Sequence, residues 1–242
     1  MSSTVSTTVS GLLERVSAVA PAPGLALVLL AAGVALALTA APSVWRHSRH
    51  LVTIAHEGAH GVAALLSGRR LSGIRLHSDT SGLTVSRGRS TGPGMVATAA
   101  AGYLGPALVG LGAAWLLGRG HAVGVLWALL VLLALLLLQV RNLFGLWAVL
   151  MAGGGLWVVT RWAPAGLQLF LAYVVTWLLL LGAPRAVVEL HRSCRQRRDR
   201  TSDAAVLARL TRLPAVAWVG LFLAATTGCL LLGGRLLLGA AS

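Results

Sequence analysis

Apolar positions in this chain fall into long runs instead of alternating stripes. Seven runs stand out, over residues 24–41, 51–66, 95–117, 122–138, 143–160, 166–181 and 215–232. Each approaches the roughly 20 residues that an α-helix needs to cross a bilayer. Turn-forming or polar residues punctuate them: Pro42 closes the first, Arg141-Asn142 precedes the fifth, Pro184 follows the sixth and Pro214 precedes the last. The pattern predicts an all-α polytopic membrane protein with about seven transmembrane helices.

Two connections carry patterns of their own. Residues 71–77 and 82–87 alternate apolar with polar or small side chains, and Ser78-Asp79-Thr80-Ser81 between them is turn chemistry. A small β-hairpin is therefore expected over about 71–87, on the cytoplasmic side and directly after the second run. The connection 185–213 is basic and ends in a short amphipathic helix. Thr201-Ser202-Asp203 reads as its N-cap, and Val206, Leu207 and Leu210 share one face. Residues 1–22 form an N-terminal arm, expected to be retained because no basic start precedes an apolar core as in a signal peptide. Residues 23–242 form a single transmembrane domain.

Composition excludes an ordinary soluble domain. The chain is 57% hydrophobic and only 11% charged, where globular domains carry roughly a quarter charged residues. The net charge of +14, from 20 basic against 6 acidic residues, would suggest nucleic acid in a soluble protein. Here the basic residues collect in the connections, so anionic lipid headgroups are the expected partner and nucleic acid is not. With seven spans, fifteen of the 20 arginines lie on the side of the N-terminus and five on the other. That asymmetry places the N-terminus in the cytoplasm and the C-terminus outside the cell membrane. Every basic residue is Arg and none is Lys, which reads as GC-rich codon usage and fits a bacterial source. Cys194 and Cys229 have no paired spacing, so no disulfide framework is indicated.

One stretch breaks the apolar pattern. His56-Glu57-Gly58-Ala59-His60 places H-E-x-x-H inside the second run. Ionisable groups within a membrane cost several kcal/mol and need partners, and one divalent cation would satisfy all three. On a helix, His56 and His60 share a face and offer two imidazoles, while Glu57 beside them can act as general base toward a bound water. The expected cofactor is Zn2+. A catalytic zinc keeps three protein ligands and one open position, and the six acids can be searched completely. Glu14 lies in the arm and Asp199 between two arginines, which leaves Asp203, Glu189 and Asp79. Asp203 is preferred, because it opens a helix at the same end of the membrane as the metal-binding run. It could equally be only a helix cap, Glu189 could pair with Arg185 four residues before it, and Asp79 reads as a turn residue. Asn142 is a candidate donor to substrate or oxyanion, or else an interfacial residue beside Arg141. His47, His50, His77, His121 and His191 are expected to be solvated. Ala55, Ala59 and Ala63 form a small-residue ridge, matched on the third run by Ala97, Ala101 and Gly105, so the two helices are expected to approach closely.

Taken together, His56–His60 in a membrane helix, the basic hairpin, Ala101-Gly102-Tyr103-Leu104-Gly105-Pro106, Arg141-Asn142-Leu143-Phe144-Gly145 and Ser202-Asp203-Ala204 resemble the site-2 protease family. The likeness is closest to its bacterial M50B-like branch. It departs from that pattern where Ala204 follows Asp203 in place of Gly, and where no Asn follows Gly105-Pro106, a role Asn142 would fill. The resemblance implies an intramembrane zinc metalloprotease, with a membrane protein's transmembrane or juxtamembrane segment as substrate. Two other readings are a catalytically inactive metal-binding scaffold and a zinc transporter. Transport fits less well, because the fourth and sixth runs hold no acid or histidine to pass an ion along.

Overall fold

The computed structural model describes residues 14, 17–195 and 201–241. Most of the expected arm, and the arginines and Asp199 of the basic run at 196–200, lie outside the described residues. Among those described, the chain runs α1 (Leu25–Ala40), α2 (Pro42–Leu66), β1 (Arg70–Leu76), β2 (Gly82–Arg87), α3 (Pro93–Leu117), α4 (Ala122–Leu137), α5 (Leu143–Trp162), α6 (Ala165–Arg195), α7 (Asp203–Leu210) and α8 (Ala215–Gly239).

Helix α2 carries the H-E-x-x-H stretch, and both its ends follow from local chemistry. Pro42 starts it at a position where the missing N–H is not needed. At the other end Gly68 takes a left-handed φ of 72°, which a side chain would disfavour. The amide of Gly68 then donates to the carbonyl of Leu65 at 3.0 Å, and that of Arg69 to Ala64 at 2.9 Å. This paired closure is a Schellman motif, and it turns the chain straight into β1.

The hairpin appears where the alternation predicts it. The strands pair antiparallel from Arg70 opposite Arg87 to Leu76 opposite Gly82, with a bulge between Leu71 and Gly73. A third extended segment lies against the far edge of β1. The amide of Ile74 donates to Gln139 at 2.8 Å and that of Arg141 to Ile74 at 2.9 Å, giving a parallel bridge at Val140. Ile54, Ile74, Leu76, Leu136 and Val149 form a buried cluster beneath, seating the hairpin between α2, α4 and α5.

Among the described residues four helices, α3, α5, α6 and α8, are long and apolar enough to cross a membrane. The pair α1 and α2 makes a fifth if counted as one span, bent by 104° at its junction. The seven spans expected from the apolar runs are not confirmed among the described residues. Helices α1 and α4 have 16 residues each, or about 24 Å at 1.5 Å per residue, short of the roughly 30 Å hydrocarbon core. Helix α2 brings Arg46, His47, Arg49 and His50 into its first half, so the apolar run 51–66 is only the second half of a longer amphipathic helix.

Helix α7 begins at Asp203 and is short, yet it is firmly seated. Ala204 and Leu207 are fully buried on it, packed with Ala99 of α3, Val187 and Leu190 of α6, and Val219 and Phe222 of α8. The expected apolar face is rotated slightly: Ala204 joins Leu207 inside, and Val206 turns toward a cavity that Asp203 also lines.

Candidate metal centre

His56 and His60 lie one turn apart on α2, and α7 delivers Asp203 to both. Nε2 of His56 stands 3.2 Å from Oδ2 of Asp203. Nε2 of His60 stands 3.2 Å from the same oxygen, and the two Nε2 atoms are 3.1 Å apart. A tetrahedral zinc with bonds of 2.0–2.1 Å requires ligand atoms about 3.3–3.4 Å from one another. The three donor atoms thus already form nearly one face of such a tetrahedron. Two imidazole nitrogens and one carboxylate oxygen suit zinc or a similar borderline divalent ion, with a fourth position left for water or substrate. Among the described residues, this trio is the one group of histidines, cysteines and acids that can hold a metal.

The surroundings orient the donors. Nδ1 of His60 lies 2.7 Å from the carbonyl oxygen of Thr98 on α3. A carbonyl only accepts, so Nδ1 carries a proton, and the neutral ring then presents the lone pair of Nε2 to the metal position. The ring of Tyr103 meets His56 edge-on, with centroids 4.7 Å apart, and stacks on Phe222 of α8. Gly102 leaves the space that the imidazoles occupy: a Cβ there would collide with Nε2 of His60 and sit 2.6 Å from Cε1 of His56. Burial alone would raise the Asp203 carboxyl, but the adjacent imidazoles of His56 and His60 hold it below the usual carboxylate range.

Glu57 is buried at 4% exposure and faces the hairpin. The hydroxyl of Thr84 on β2 donates to its Oε2 at 2.6 Å, and Gly82 closes over the same side chain. A cavity of about 390 Å³ opens beside the four side chains. Gly82, Leu83, Thr84 and Ser86 of β2 line one wall, Thr98, Ala99 and Tyr103 of α3 another, and Ser202, Asp203 and Val206 a third.

The other sequence candidates lie elsewhere. Glu189 accepts from the indole N–H of Trp45 at 2.6 Å and pairs with Arg49 and Arg185. Asp79 accepts from the hydroxyl and the amide of Ser81 at 2.6 and 3.0 Å, and those two bonds lower its carboxyl from the ordinary value. Asn142 does not line the cavity. Its Nδ2 donates to the carbonyl of Leu76 at 2.6 Å and its Oδ1 accepts from the Leu76 amide at 3.1 Å. Its amide is spent on fastening the third strand-like segment to β1, because an extended segment ending there needs both groups of Leu76 satisfied.

Helix contact also differs in detail from the expected ridge. Gly105 does meet Ala59 and the carbonyl of Ala55, yet Ala97 is exposed and Thr98 and Gly102 take the inner positions. Sequence reasoning missed Thr84, Thr98 and Gly82. The available signal was spacing, since Thr98, Gly102 and Gly105 recur at i, i+4 and i+7 on one helical face.

A family model described as Peptidase M50B-like matches residues 29–233, a span containing every residue of this site. No curated protein and no solved structure matches the chain.

Proposed function

The chain belongs to the Peptidase M50B-like family, and from that membership we propose that it is an intramembrane zinc metalloprotease. Its substrates are membrane-embedded or membrane-proximal segments of other membrane proteins. The observation that carries the reading is the 3.1–3.2 Å spacing of the donor atoms of His56, His60 and Asp203 beside the buried carboxylate of Glu57.

A zinc ion held by those three groups would supply a Lewis acid for the scissile carbonyl and lower the pKa of an attacking water. Glu57 takes the proton of that water and returns it to the leaving amine. His60 is kept in register for this by the Thr98 carbonyl, and the ring of Tyr103 packs against His56. A peptide bond is attacked only in an unwound segment, and β2 offers that segment a template. Strand β1 is flanked by β2 on one side and by residues 139–142 on the other, so the outer edge of β2, along the cavity, is where an extended substrate adds as a further strand.

The same reading orients the protein. The hairpin exposes Arg70, Arg75 and Arg87 toward anionic headgroups on the cytoplasmic face.

The test is the Glu57→Gln variant in proteoliposomes containing single-span model substrates. Cleavage is expected to disappear while bound metal, measured by elemental mass spectrometry, stays at the level of the unaltered protein. Cleavage persisting in that variant overturns the assignment. Metal binding with no cleavage by the unaltered protein across a broad substrate panel favours the inactive scaffold instead.

A further inference from the structure

Strand β2 holds Glu57 in a way that the proposed mechanism does not use. Two hydrogen bonds link β2 and the turn before it to α2 at matched intervals. The hydroxyl of Thr53 donates to the carbonyl of Thr80 at 3.0 Å, and four residues further along both segments the hydroxyl of Thr84 reaches Glu57. Thr84 Oγ1 lies 2.6 Å from Oε2 and 3.0 Å from the backbone oxygen of the same residue. A hydroxyl has one proton, and the shorter distance, typical of a charge-assisted O–H···O⁻ bond, assigns it to the carboxylate. Gly82 completes the cradle: a Cβ there would lie 2.5 Å from Oε1 and Cγ of Glu57. The side chain is thus pinned at one oxygen by a strand residue and confined at the other by a glycine.

We propose that Thr84 is the positioning residue for Glu57, so that the strand expected to receive substrate also sets the rotamer of the proton-transferring carboxylate. The inference rests on the reading of Glu57 as general base. Its physical basis is that a glutamate has three rotatable bonds, and proton transfer requires its oxygen within hydrogen-bond reach of the attacking water. Burial restricts those bonds but does not choose among the rotamers. The Thr84 hydroxyl does, by giving one oxygen a fixed donor and leaving the other for the water. Substrate pairing along β2 would then stiffen the element that carries this donor, coupling strand addition to readiness of the base.

The test compares Thr84→Val, which keeps the shape and removes the donor, with Thr84→Ser, which keeps the donor. In the full chain with metal bound, Thr84→Val is expected to lower kcat by about 10–100-fold, the usual loss when an orienting partner is removed. KM and metal content stay close to the starting values, and Thr84→Ser restores most of the rate. Unchanged kcat in Thr84→Val overturns the proposal, as does an equal loss in Thr84→Ser, which would mark a purely structural strand position.

If the unaltered protein cleaves nothing, the reading of the site fails, and the contact is judged separately by infrared spectroscopy. The chain has three glutamates, Glu14, Glu57 and Glu189. Isotope-labelled glutamate and a Glu57→Gln difference spectrum therefore isolate the Glu57 carboxylate band. A shift of that band in Thr84→Val but not in Thr84→Ser supports the positioning bond, and an identical band in both variants overturns it.

Discussion

Nε2 of His60 stands 3.2 Å from Oδ2 of Asp203, although α3, α4, α5 and α6 all intervene between the two residues along the chain. The contact exists because Ala204 and Leu207 bury α7 against α3, α6 and α8. That packing fixes where the first residue of the helix points.

Asp203→Asn retains the size of the side chain and removes its charge, so it separates ligation from packing. Metal affinity is expected to fall by more than the roughly 10–100-fold that loss of an outer-shell partner costs, with helix content unchanged by circular dichroism. Glu189→Gln and Asp79→Asn are the controls, because Glu189 is engaged by Trp45, Arg49 and Arg185 and Asp79 by Ser81. Both should bind metal as the unaltered protein does. Retention of stoichiometric metal by Asp203→Asn, or its loss in either control, would show that the third ligand is misassigned.

Gly102→Ala tests the room left for the imidazoles. Alanine is the better helix former by about 1 kcal/mol, so α3 itself gains. The added methyl, however, meets Nε2 of His60 and Cε1 of His56. The expected outcome is a folded protein with sharply weakened metal binding, measured by competition with a colorimetric chelator.

Gly105→Ala and Gly112→Ala form a pair on the same helix. At Gly105 the new methyl collides with Cβ of Ala59, where α2 and α3 touch, whereas at Gly112 nothing lies within 4 Å. Gly105→Ala should destabilise by about 1–3 kcal/mol through overpacking. Gly112→Ala should be neutral or slightly stabilising. Unfolding by denaturant in detergent micelles distinguishes them, and equal behaviour would contradict the close approach of the two helices.

Asn142→Ala removes both hydrogen bonds to Leu76. The cost expected is about 1–3 kcal/mol, seen as faster hydrogen exchange at the Leu76 amide and along β1. Any loss of activity should accompany that loosening, so adding a covalent restraint between β1 and the segment 139–142 should recover it. An oxyanion-stabilising Asn142 would instead lower kcat with exchange at Leu76 unchanged.

Much of the architecture was legible in the chain because local patterns survive folding. Apolar runs mark helices, the alternation at 71–77 and 82–87 marks strands, and Pro42 marks the end of α1. The span count was less legible. Run length alone does not report that Ala41-Pro42 breaks α1 from α2 at a steep angle, nor that α2 reaches back to Pro42 through its polar first half. The partner of Asn142 was illegible for a related reason. A polar residue at a helix start looks unsatisfied until its partner is known, and the partner, Leu76, lies in a different element.

By itself the sequence determined the pair His56 and His60 and the acid Glu57 between them, because a helical turn of 3.6 residues sets i and i+4 on one face whatever surrounds it. It also narrowed the third ligand to three acids, since only six exist. The tertiary structure brought one of those three, Asp203, to 3.2 Å from both imidazoles, turned Thr98, Gly102 and Tyr103 toward the histidines, and laid Thr84 against Glu57. Those relations are made by packing between elements far apart along the chain, and no local periodicity encodes which face of one helix meets which face of another.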